Sequence, residues 1–169
     1  MRAFIIHLQH IILPYLVHRQ ITAFIMSTVW IWITCQMLHF MGVATLIGIV
    51  GLFDLRLMGF VKRISLRAAM DLMPYAIVAF IINLLTGTVF ILGRPRVYVR
   101  AESLWFKFLF VILAGLNAII FQVAFKDKAL QLAPDADTPV SMKLVGAVSL
   151  FSWFAVLYFG RMVPYLGNF

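Results

Sequence analysis

The sequence encodes an all-α integral membrane protein, four transmembrane helices in an up-down bundle behind an N-terminal interfacial helical arm. Three observations lead there. The 169-residue chain is 64% hydrophobic and only 12% charged, whereas a soluble domain is about half apolar and a quarter charged. Its mean hydropathy is +1.03. The apolar residues also come in blocks of membrane-spanning length rather than scattered over amphipathic elements.

The first 28 residues form the arm, and residues 29–169 the transmembrane domain. The opening Met1-Arg2-Ala3-Phe4-Ile5-Ile6 has the outline of a signal peptide. His7, Gln9, His10 and Pro14 interrupt the apolar run, so the segment is expected to be retained. Pro14 breaks it, and Gln9, His10, His18, Arg19 and Gln20 are too polar for an isolated crossing, so residues 3–26 should lie along the membrane or against a neighbouring subunit.

No charged residue occurs in the 33 positions from Ile21 to Phe53, which as a helix would exceed the roughly 30 Å hydrocarbon core. Ser27 and Thr28 offer N-caps just ahead of Trp30 and Trp32, which suit the interface, so the first span is set at 29–53. The second runs over 72–92, with Pro74 in its first turn and Gly93-Arg94-Pro95 as its stop. The third covers 103–125, closed by Lys126-Asp127-Lys128, with Lys107 near enough to its start to snorkel. A polar loop, Ala133–Pro139, leads to the fourth span, 140–163, closed by Arg161 and Pro164. Backbone groups in lipid must be satisfied within the segment, so these blocks are helices.

The net charge is +8. Its basic residues flank apolar blocks, where they anchor helix ends and attract anionic headgroups, so the partner they indicate is the lipid bilayer and not nucleic acid. With the spans alternating, Lys and Arg divide seven against seven, and the positive-inside rule gives no orientation. The single cysteine, Cys35, excludes an intrachain disulfide.

His39, Asn83, Asn117 and Ser152 each fall near the middle of a span, a polar layer at one depth. Such residues act as hydrogen-bonding glue between helices, and Gly42, Gly48, Gly87, Gly115 and Gly146 allow close approach. The competing reading makes His39 an axial ligand to a b-type haem iron, with Gly42 one turn away clearing space for a flat group. No second histidine lies in a span, which leaves the arm, a methionine or a five-coordinate iron. Other chemistries fail sooner. There is no paired metal-ligand motif, no phosphate loop, no histidine placed to activate Ser103, Ser149 or Ser152, and no acid at the centre of a span for proton pumping. At the rims, Asp54 and Arg56 point different ways and each needs another partner. Lys143 or Arg67 would serve Asp54, and Glu102 would serve Arg161, as structural clamps. The face of Trp153, Val156 and Gly160 is read as core or lipid contact.

The string His39-Phe40-Met41-Gly42, followed by Gly48 and Asp54-Leu55-Arg56-Leu57-Met58-Gly59, resembles an H-x-x-G…D-L-R-L-x-G signature of a family of bacterial inner-membrane proteins of unknown function. The likeness continues through Thr86-Gly87, Asn117-Ala118, Phe121, Ser149, Trp153, Gly160-Arg161 and Tyr165. It implies a four-helix core in the bacterial inner membrane, loosely similar to haem-bearing and copper-resistance membrane proteins. Many members carry a histidine after the phenylalanine of the third span, where this chain has Gln122, so the resemblance supplies no second ligand for His39. Three functions follow as expectations. The first is a non-catalytic subunit that anchors or completes a larger membrane complex, respiratory or redox in kind, with other membrane subunits as partners. The alternative is a b-type haem electron-transfer protein using His39. The third is a small transporter or channel.

Overall fold

The computed structural model describes residues 2–16, 19–133 and 136–166. Among these the regular structure is all helix, with no strand, and four helices are long and apolar enough to cross a membrane. It is a multi-pass α-helical membrane protein. His18, Pro134 and Asp135, singled out above, lie outside the described residues.

The arm is two helices, α1 (Arg2–Leu16) and α2 (Arg19–Ser27). At 15 residues α1 is about 22 Å long, too short to cross. It packs on the short helix α6 (Pro95–Arg100). The arm is fastened to the end of the second span by the Thr22 hydroxyl, which donates to Leu92 O at 2.9 Å. Close by, Ile25 and Trp32 press against Gly93, where a Cβ would lie 2.9 Å from the Trp32 ring.

The first span, α3 (Val29–Met58), extends five residues past its expected end. The stop is stereochemical. Gly59 takes φ 89°, a left-handed cap open to glycine, with Gly59 N bonded to Arg56 O and Phe60 N to Leu55 O. The anticipated N-cap does not form: Thr28 makes no capping bond, and the Ser27 hydroxyl turns back to Phe24 O. The second span begins with a separate turn, α4 (Leu66–Asp71), capped by Ser65 Oγ accepting from Ala68 N, and continues as α5 (Met73–Gly93). The third is α7 (Glu102–Ile120), a π-helical turn at Phe121–Phe125, and α8 (Lys126–Gln131). The fourth, α9 (Val140–Leu166), runs three residues beyond expectation.

Packing decides what these helices enclose. α3 lies between α5 and α9, and α9 carries α7 on its other side, while α5 and α7 scarcely meet. The order α5–α3–α9–α7 is therefore an open arc. Besides Gly93 against Trp32, close approach between spans falls at Gly42 and Gly146. A Cβ on Gly42 would lie 2.8 Å from Asn83 Oδ1 on α5, and one on Gly146 would lie 2.9 Å from Asp54 O on α3. Gly48 and Gly115 have nothing within 4 Å, so they are not the helix contacts expected of them.

Candidate functional site

Two polar centres lie within the bundle. At the first, His39 faces α5, its Nδ1 2.8 Å from Thr86 Oγ1, while the Thr86 hydroxyl is also 2.7 Å from Ile82 O. The imidazole sits edge-on to Phe90 at 5.1 Å, and Gly87 leaves room for it, with Cε1 3.8 Å from the position of a Cβ. Asn83, one turn before Gly87, fills the Gly42 notch with both side-chain polar atoms buried and unpaired among the described residues.

The four-residue layer is thus not one network. Asn117 Nδ2 donates to Val145 O at 3.0 Å, joining α7 to α9, and the Ser152 hydroxyl turns to Val148 O on its own helix. His39 pairs with Thr86, which sequence reasoning did not rank because its hydroxyl is indistinguishable from any helix threonine until the facing helix is placed. For haem, this packing supplies one nitrogen. Among the described residues no group of three or more metal-binding side chains gathers. The large cleft of the bundle does not reach His39, and Gln122 opens onto that cleft instead. The residues at His39 do not fit a macrocycle.

The second centre is the cleft left by the open arc, about 830 Å³, walled by α3, α4, α5, α7, the π-helical turn and α9. Its wall is mainly apolar, with Phe53 edge-on to Phe121 at 5.0 Å and Phe80 edge-on to Trp153 at 6.3 Å. Asp54 lines it. The residue is 2% exposed, the Ser149 hydroxyl hydrogen-bonds its carboxyl, and Oδ2 has no partner among the described residues. Arg67, Asp71 and Lys126 stand exposed at the mouth.

The rim clamps are re-paired relative to expectation. Lys143 Nζ bonds Asp137 at 3.0 Å, not Asp54, and Lys62 joins the same carboxylate at 3.3 Å. These two lysines hold the exposed Asp137 carboxyl below the usual carboxylate range. Arg161 forms no ion pair with Glu102 and lies over the Tyr165 ring at 5.9 Å. Glu102 opens α7, where an acid suits the helix dipole. Arg56 is fully buried. Its Nε donates to Ile64 O at 2.6 Å, with longer contacts to Ala136 O and Thr138 Oγ1, so it ties the two loops of one membrane face together. Lys107 does not reach outward. Its stem and Nζ lie over Gly160, 3.6–3.7 Å from the position of a Cβ there.

No family model, curated protein or solved structure matches this chain.

Proposed function

We propose that this protein is a non-catalytic subunit of the bacterial inner membrane that completes a larger assembly by receiving a transmembrane helix of another subunit. One observation carries the reading. The outer face of α3 presents Ala44 and Gly48 one turn apart, flanked by Thr34 and Thr45, all exposed, and among the described residues no other part of the chain lies within 4 Å of a Cβ at Gly48. Small residues four apart let a second helix approach closely, and flanking hydroxyls add bonds across the contact. Lipid alone requires neither. The chain also encloses little of itself, since only 17–28% of the most apolar stretch of each span is buried. The bacterial inner membrane and the redox or respiratory setting rest on the resemblance of the His39–Gly42 and Asp54–Gly59 strings.

Native mass spectrometry after gentle extraction tests this. The expected result is a complex heavier than the 19.2 kDa chain that contains a second polypeptide. Gly48→Leu should release the free chain. A lone chain, or only whole multiples of it, would refute the proposal.

A further inference from the structure

We infer that the cleft between α5 and α7 is a binding site for a phenol-headed amphiphile, the ring hydroxyl donating to Asp54 Oδ2 and a long apolar tail passing out between the two helices into the bilayer. The site is separate from the outer face of α3, so either proposal can fail without the other.

The hydroxyl follows from the carboxyl group. Asp54 is 2% exposed, one of its oxygens is already served by the helix α9 hydroxyl of Ser149, and Oδ2 is buried with no partner among the described residues while the residue lines an open cleft. A buried acceptor left unmatched is costly, and native structures nearly always supply it with a donor. An O–H from a bound molecule is the donor this geometry lacks.

The aromatic head follows from the wall. Phe53, Phe121, Phe80 and Trp153 line the same cleft as Asp54, as two edge-to-face pairs. Such rings accept another ring stacked or edge-on at little cost. The volume, about 830 Å³, lies within the usual range for small-molecule sites.

The tail follows from the gap. α5 and α7 scarcely meet, and on the α7 side Gly115 and Ala118 leave the wall low, with open space where a Gly115 side chain would be. A π-helical turn begins at Phe121, on the cleft wall, and such turns recur at functional sites. A phospholipid suits the site less well. Its phosphate is attracted to Arg67 and Lys126 at the mouth, but it would bring a second anionic group toward Asp54.

The test uses the full chain in phosphatidylcholine nanodiscs, titrated under argon with a decyl-tailed 1,4-benzohydroquinone and followed by calorimetry and by Trp emission, since Trp153 lines the cleft. Saturable binding is expected, weakened about tenfold or more for the dimethyl ether of the same probe, which has lost the donor. Asp54→Leu should weaken binding of the hydroquinone to the same degree. Gly115→Leu should abolish binding with the helical spectrum unchanged, because its side chain enters open space. Equal binding of hydroquinone and ether would overturn the inference. So would wild-type binding by Gly115→Leu, or saturable binding of a single-chain phospholipid at a lower concentration than the hydroquinone requires.

Discussion

Gly42→Ala tests how tightly α3 is set against α5. The new methyl carbon would lie 2.8 Å from Asn83 Oδ1, 3.1 Å from Asn83 Cγ and 3.2 Å from Ala79 O. Asn83 could swing aside, but Ala79 O belongs to the backbone of α5, so the helices themselves must part by a few tenths of an ångström. Overpacking of this kind costs about 1–3 kcal/mol, offset by the roughly 0.5–1 kcal/mol that a helix gains when glycine becomes alanine. Gly48→Ala is the internal control. It meets nothing within 4 Å and should show the gain alone. Unfolding in mild detergent, followed by near-ultraviolet circular dichroism, should therefore separate the two variants by about 1–3 kcal/mol, with Gly42→Ala the less stable. Equal stabilities would refute the close α3–α5 contact.

His39→Phe should cost little, about 0.6 kcal/mol and under about 2, because Thr86 keeps its 2.7 Å bond to Ile82 O; a loss above that range in the same unfolding assay would give His39 a larger role than packing. Arg56→Met should destabilise by about 3 kcal/mol, since hydrogen bonds to charged groups contribute about 1.5–3 kcal/mol each. Proteolysis in the loops it holds at Ile64 and Ala136 should speed up accordingly, and unchanged cleavage would show that they are held otherwise. At Asp137 the folded-state carboxyl titrates below its unfolded value, so its contribution is present above about pH 4 and is lost as pH falls through the lowered value. Carbon-13 titration of Asp137 should show that depression, and it should shrink in high salt because the cluster is exposed; an unperturbed midpoint would contradict the pairing with Lys62 and Lys143.

The helices and their number were legible because lipid imposes one rule on every backbone group, and a charge-free block such as Ile21–Phe53 has few ways to obey it. The length of α3 was less so. Asp54 and Arg56 look like the end of a hydrophobic block, yet Asp54 turns to Ser149, Arg56 turns to the loops, and the helix continues to the left-handed Gly59. Pairing was the least legible. Depth along a helix placed His39, Asn83, Asn117 and Ser152 at one level, but rotation about the helix axis decides partners, and that depends on which helices touch. The cleft was invisible for the same reason, since it arises where α5 and α7 scarcely meet.

The most direct measurement is the sidedness of single cysteines at Gln20, Arg63, Arg96 and Asp137, all at exposed positions, in a Cys35→Ala background, labelled with a membrane-impermeant maleimide in sealed vesicles of known orientation. Four crossings with an arm that stays on its own side put Arg63 and Asp137 on one face, and Gln20 and Arg96 on the other. Labelling of Gln20 from the same side as Arg63 and Asp137 would mean that the membrane is crossed between Gln20 and Arg96 in a way that four spans do not allow.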